Sequence, residues 1–421
     1  MNRRLQTTLI AFPDLINRIY VVNELSESFD RLAKKLVETI VKRGQEIVFE
    51  DERITDDLLR GEALRYFTRV LAAGLVSQVE ANEPACPRFI KIISPWLNWG
   101  YTNSDGTYDF VNLHGDYEYR IYGKRGDARL FDVELWEGDI ADLAKASAIG
   151  NLRDINGGKS EVTFEADGSF EIFLSRERRG KNCLLLPEGH AHLYLRQWYY
   201  DYETEQASEF YIERIGETFP RPSLTAQDHV NNFERLIKFI DSVWRPLDHG
   251  IAQHYVSAPD IVPFPSGLIT EGNAFRNQRY ARGRYNLEQG QAIIMELTPP
   301  KAEYWMFGLM SPFWEIYDYL GRQVSINGHQ AEIDDDGLLR IVIAHEDPGV
   351  ANWLDAGNHS KGLIAGRYNW SEDVPIPTLK TVSLIELDQY LPASTKRISC
   401  VERSEILARR LQSQRKRGVD W

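Results

Sequence analysis

Two stretches of this chain can be laid over one another, and that internal repeat limits the possible folds more than any other feature. ADGSFEIFLSRERRGKNCLLLPEGHAHLYLRQWYY begins at Ala166, and DDGLLRIVIAHEDPGVANWLDAGNHSKGLIAGRYNW begins at Asp335. Asp167-Gly168 matches Asp336-Gly337, Glu177 matches Glu346 and Gly180 matches Gly349, all 169 residues apart. One inserted residue brings Asn182 onto Asn352, and a second brings Arg196 onto Arg367. Upstream, ARLFDVELW faces AEYWMFGLM; downstream, SEFYIERI faces TVSLIEL. Ordered identities on matching strand patterns mean that one module was copied.

The period inside each copy is two, with alternating or aromatic runs broken by Gly-Asp, Asp-Gly and proline turns, which is the signature of antiparallel sheet. Sheets of this size bury one face of each strand by stacking or closing, so the chain is expected to be mainly β: two tandem repeated antiparallel β-sandwich domains, jelly-roll-like, with flanking helices. Helical spacing (Leu64, Phe67, Leu71, Leu75, Val79) marks residues 1–87 as an N-terminal helical segment. The first sandwich is expected over 88–222 and a connecting helix over 223–256, with Thr225 as cap and Pro246 as stop. The second sandwich follows over 257–395 and a C-terminal basic helix over 396–421. From Lys396 to Arg417 there are eight basic residues against two acidic, a net +6, which suits a helix docked on the protein's own acidic surface.

Composition removes several function classes. A net charge of -13 repels phosphate backbones, so no nucleic acid is expected as partner. No apolar run is long enough for a membrane span. The basic N-terminus lacks an unbroken apolar stretch and a cleavage site, so the expected location is cytoplasmic. Cys86, Cys183 and Cys400 are too scattered for a disulfide framework or a zinc site and are read as buried free thiols. No phosphate-cradling glycine motif follows a strand, and no cofactor or metal is called for. A homo-oligomer is left open.

The run from Ser311 to Gly362 contains Asp347-Pro348-Gly349 and Asn352-Trp353-Leu354-Asp355, then His359, with Arg367 following. Over roughly Trp305 to Leu387 these motifs resemble the domain of unknown function 1214 (DUF1214) family. The resemblance implies a β-sandwich with a related β domain ahead of it, and it implies no particular reaction. Where the family has Gly-His, this chain has Gly357-Asn358-His359.

Features kept in both copies point to the fold, and features found in one point to specialisation. Gly180 and Gly349 suit turns needing positive φ, and Asn182 and Asn352 can tie loop backbone, although Asn352 also borders the candidate pocket. Arg196 and Arg367 must be paired or bind an anion, with Glu177 and Glu346 as candidate partners. Trp353, Asp355, Asn358 and His359 are peculiar to the second copy, and Trp353 is expected to line the pocket with Tyr194, Trp198 and Tyr200 of the first. Asp355 and His359 could form an acid–base pair, with Arg367 completing a catalytic set; the bland reading is a hydrogen-bonded corner. In the first copy, strand alternation places His190, His192, Tyr194, Arg196, Trp198 and Tyr200 on one face, suited either to a ring-stacking ligand or to a domain seam. His190 and His192 also have the spacing of a metal pair on a strand, but no third ligand is evident.

The functional expectation is a cofactor-independent enzyme, of hydrolase or lyase/isomerase type. It would act on a small, partly apolar organic molecule at the seam by proton transfer, hydrolysis or elimination. Its rivals are a non-catalytic binding module for a carbohydrate or hydrophobic ligand, and a scaffold.

Overall fold

The computed structural model describes residues 13–52, 54–100, 102–143, 145–242, 262–263 and 278–417. Helix α1 spans Pro13–Val48 and α2 spans Asp57–Leu75, running into a π-turn at Val76–Glu80. The first copy contributes β1 (Ile90–Ile93), β2 (Gly106–His114), β3 (Tyr119–Lys124), β4 (Leu130–Glu137), β5 (Ser147–Ile155), β6 (Ser169–Ser175), β7 (Cys183–Leu185), β8 (His190–Trp198) and β9 (Glu209–Arg214). After α3 (Ala226–Ser242) come β10 (Val262–Pro263), β11 (Gln278–Asn286), β12 (Gln291–Leu297), β13 (Ala302–Met310), β14 (Ser325–Asn327), β15 (Leu339–Ala344), β16 (Trp353–Asp355), β17 (Lys361–Ser371) and β18 (Thr378–Ser383). Helix α4 (Cys400–Lys416) closes the described chain.

The duplication holds strand for strand. The first copy forms a five-stranded sheet, β1-β2-β8-β4-β5, and a four-stranded one, β7-β6-β3-β9; adding nine to each label gives the two sheets of the second copy. Pairing is antiparallel except for β6 with β7 and β15 with β16, which are parallel in both copies. The two sheets of the first copy stack over a core that includes Leu193, Leu195, Val133, Ile121 and Ile172, as period-two alternation requires.

The repeated residues show why they were kept. Asn182 accepts from Thr163 N at 2.7 Å and donates to the carbonyls of Thr163 and Glu171. Asn352 accepts from Glu332 N at 2.9 Å and donates to the carbonyls of Glu332 and Arg340, the same three bonds one copy later. Gly180 and Gly349 sit at φ 67° and 70°, a region open to glycine and costly for other residues.

Several expectations shift. In α2 the buried face is Leu59, Ala63, Tyr66, Phe67, Val70 and Ala73, whereas Leu64 and Leu75 are exposed. The helix packs on small and aromatic residues one step round from the leucine stripe. Thr225 and Asp228 cap α3 reciprocally, side chain to backbone in both directions, as a capping threonine should; Pro246 lies outside the described residues. The cysteines are free, but Cys86 and Cys183 are only partly buried and Cys400 is exposed. The acidic turn from Glu332 to Asp336 is tied to β15, where Arg340 pairs with Asp334 and Asp336, each at 2.7 Å.

The basic tail docks inward. Arg403, Arg410 and Arg417 recur every seven residues on one face of α4 and its end, and all three are buried. Arg403 meets Asp347 at 3.0 Å and Arg410 meets the Ser325 carbonyl at 3.0 Å in the second copy, while Gln414 and Arg417 reach the carbonyls of Ser104 and Asp105 in the first. The helix therefore ties the two sandwiches together. Among the described residues, no helix is long and apolar enough to cross a membrane.

Candidate functional site at the seam

The outward faces of the two five-stranded sheets meet. On β8, odd-numbered Leu193 and Leu195 fill the sandwich, so His192, Tyr194, Arg196 and Trp198 must face the other way. Across the ladder Arg196 stands opposite Tyr108 on β2 and Asp132 on β4, while Tyr194 stands opposite Glu134. In the second copy Arg367 stands opposite Tyr280 on β11 and Met306 on β13. The two faces touch directly: Arg367 Nη1 donates to the Tyr108 hydroxyl at 3.5 Å, and Tyr304 from β13 donates to Asp105 at 2.9 Å.

Arg196 is held by carboxylates of its own sheet. It donates to Asp132 at 2.5 Å and also binds Glu134, and Arg153 on β5 takes the other oxygen of Asp132 at 2.9 Å. Glu177 and Glu346 play no part in this network, which corrects the partner expected for the arginine. Burial pushes Asp132 up, but Arg153 and Arg196 outweigh it and hold the carboxyl below its ordinary value. Burial also pushes Glu134 up, and the neighbouring charge of Asp132 adds to this; against the pull of Arg196 the acid is raised to about 7. Two adjacent carboxyls thus have protonation ranges driven apart, which separates an acid–base group from a permanent anion.

Several polar atoms on these facing surfaces are buried without a hydrogen-bond partner: Glu134 Oε1, His192 Nε2, Trp198 Nε1 and both amide atoms of Asn369 on β17. His192 Nδ1 lies 3.0 Å from the Gly138 carbonyl, so that nitrogen carries the proton and Nε2 presents a lone pair. Burial drives its pKa down to about 4, against the bond to Gly138, keeping the ring neutral. Tyr194, which keeps some exposed surface, is pushed upward by burial and by Glu134 and stays a phenol. Native proteins leave few such atoms unsatisfied, and these are spread along the faces that the two sheets turn to each other.

The other sequence candidates are not assembled here. Asp355 and His359 do not bond to each other. Asp355 accepts from Arg322 at 2.7 Å and from Gly357 N at 2.8 Å. His359 Nδ1 lies 3.0 Å from the Ala356 carbonyl, Nε2 lies 2.7 Å from Glu62 on α2, and the ring stacks on Tyr317 at 3.8 Å. The expected acid–base contact is replaced by a clamp between the N-terminal helices and the second sandwich. Trp353, expected to line the pocket, is buried in a small core with Val350, Leu387 and Leu391, its indole donating to the Ala344 carbonyl. Asn352 ties backbone, as described above. Tyr200 lies past the end of β8 against Tyr304, still between the copies. His190 and His192 part ways: His190 faces His114 and Arg235 at the rim of a cavity beside α3.

Asp132 and Glu134 were missed, although a signal was present. ARLFDVELW carries two acids at alternate positions of an apolar strand, where the second copy has Met306 and Gly308. They are peculiar to the first copy, with no acid at the matching positions of the second.

The family model for the protein of unknown function DUF1214 matches residues 101–201 and 276–368, one match in each sandwich. A crystal structure of an uncharacterised protein from Burkholderia cenocepacia superposes with a TM-score of 0.80 at 24% identity, covering 86% of this chain and 99% of that one. The VPA0106 protein of Vibrio parahaemolyticus reaches a TM-score of 0.43 at 12% identity, over 76% of this chain and 98% of the other. The likeness to the Burkholderia cenocepacia protein concerns the fold. No curated protein matches.

Proposed function

We propose, from the premise that the chain carries two tandem DUF1214 copies, that their seam is an active site moving a proton on a small, partly apolar organic anion. The observation that carries this reading is Glu134: a fully buried carboxyl, raised to about 7, with one oxygen on Arg196 and the other without a partner. A general base works best when its pKa lies near the working pH. Asp132 stays ionised and fixes Arg153 and Arg196, while Arg282 and Arg367 bring further positive charge from the facing sheet. Guanidinium therefore outnumbers carboxylate among these side chains, which favours a carboxylate or enolate-like anion. Tyr194, Trp136 and Trp198 supply ring surface for its apolar part. No cofactor is needed for abstraction of a proton next to a carbonyl.

The reading is tested by incubating the protein in heavy water with a panel of aryl and alkyl 2-oxo acids and following carbon-bound hydrogen exchange by NMR. Exchange is expected to rise as pH passes through about 7 and to vanish in a folded Glu134→Gln variant. Wild-type exchange in that variant would remove the proposal. Ligand affinity kept in the variant, with no exchange in the wild type, would favour the rival binding module.

A further inference from the structure

A cavity of about 720 Å³ lies between α3 and the turn that follows α2, at the His190 end of β8 and away from Glu134 and Arg196. We infer that it binds a small uncharged or cationic molecule presenting an amide-type edge, a donor beside an acceptor, as in a primary carboxamide, a lactam or an aminopyrimidine.

Two asparagines set the recognition. Asn82 and Asn232 line the cavity, are 7% and 5% exposed, and bond to each other through Asn82 Nδ2 and Asn232 Oδ1 at 3.0 Å. That bond uses half of each amide. Asn82 Oδ1 and Asn232 Nδ2 remain buried with no partner. Exchanging oxygen and nitrogen on both amides would still leave one acceptor and one donor. A buried donor and a buried acceptor without partners cost free energy, and a ligand edge that carries one of each matches the pair.

The remaining walls restrict the ligand further. His114 and His190 meet edge to face at 5.0 Å and form an aromatic corner in which either imidazole can offer its face to a planar ligand. Burial and the charge of Arg235 lower the pKa of His190, which adds no cation. The lining carries five carboxylates, Glu83, Asp116, Asp139, Asp228 and Glu234, against Arg235 and Lys238. Both cations are already engaged, Arg235 with Asp139 at 3.0 Å and Lys238 with Asp142 at 3.1 Å. An anionic ligand would meet net negative charge, so carboxylates and phosphates are disfavoured. The volume lies within the range of small-molecule pockets.

The test uses the full chain with nicotinamide, cytosine and nicotinate as probes, read by calorimetry and by the imidazole resonances of His114 and His190. Nicotinamide and cytosine are expected to bind saturably in the roughly millimolar range of a fragment and to shift those resonances. Nicotinate, the anionic counterpart, should bind at least about tenfold more weakly. Asn232→Asp keeps the bond to Asn82 but replaces the free donor with an acceptor. It should weaken nicotinamide about tenfold and create affinity for benzamidine, which offers two donors. The inference is overturned if neither nicotinamide nor cytosine shifts the two histidines in the wild type, a result independent of how the variant folds. It is equally overturned if a folded Asn232→Asp protein binds nicotinamide as the wild type does. Neither outcome depends on the chemistry proposed at the seam.

Discussion

Arg196 and Arg367, equivalent positions of the two copies, converge on a single indole: their guanidinium carbons lie 5.0 and 5.9 Å from the ring centroid of Trp198. Duplication alone would give each arginine the same surroundings, but the first faces two carboxylates of its own sheet, Asp132 and Glu134. The second faces Met306 across β13 and the rings of Tyr280 and Trp198. One guanidinium anchors the acids, and its counterpart extends the positive charge of the seam.

The two arginines should therefore differ in what their loss costs. Arg196→Ala leaves buried Asp132 and Glu134 without their shared cation and should destabilise by about 3–5 kcal/mol, the usual result of breaking a buried pair. Arg367→Ala, which leaves that acid pair intact, is expected to cost roughly half as much or less. Urea unfolding of the two variants decides; equal losses would contradict the asymmetry.

Stability should respond to Glu134 in a defined pH window. Its ordinary value is 4.5 and burial raises it to about 7 in the folded protein, where Arg196 opposes the rise and Asp132 adds to it. A carboxyl that holds its proton more tightly when folded contributes fully below its unfolded value and loses that contribution as pH climbs through the folded one. From about pH 5 to 8 the wild type should lose on the order of 2–3 kcal/mol relative to Glu134→Gln. Glu315, also raised to about 7 by burial against the pull of Arg69, adds to the same slope in both proteins and cancels in the comparison. Parallel pH profiles for variant and wild type would refute this assignment.

Asn182 and Asn352 make the same three backbone bonds in different sandwiches, so their removal should cost the same. Each change to Ala is expected to destabilise by roughly 2–3 kcal/mol, and the double variant by the sum, since the sites share no partner. Chemical denaturation of the single and double variants provides the check, and a strongly unequal pair would mean that the bridges are not equivalent.

His359 is expected to act on helix docking. Its Nε2 bond to Glu62 and its stack on Tyr317 tie α2 to the second sandwich. His359→Ala should lower the melting temperature by roughly 1–2 °C per kcal/mol lost, the shift per kcal/mol falling as chain length rises. It should also speed amide exchange in α2 while leaving the strands of the first copy protected. Unchanged exchange in α2 would show that the clamp is not holding the helix.

The sequence by itself determined the architecture. Period-two strands and turn glycines depend on neighbours a few residues away, and the recurring asparagines bond backbone 11 to 20 residues away within their own copy, so a copied module could be recognised by aligning the chain with itself. The outward face of β8 was also legible, because alternation fixes which side chains share a surface. Only the tertiary structure decided which charges meet. Asp132 and Glu134 reach Arg196 across 62 to 64 residues, His359 finds Glu62 across 297, and α4 inserts its arginines between domains. Proximity in sequence suggested Asp355 for His359, but a buried imidazole and a buried carboxylate take the partners that packing brings to hydrogen-bond distance, and packing joins segments without regard to their separation along the chain.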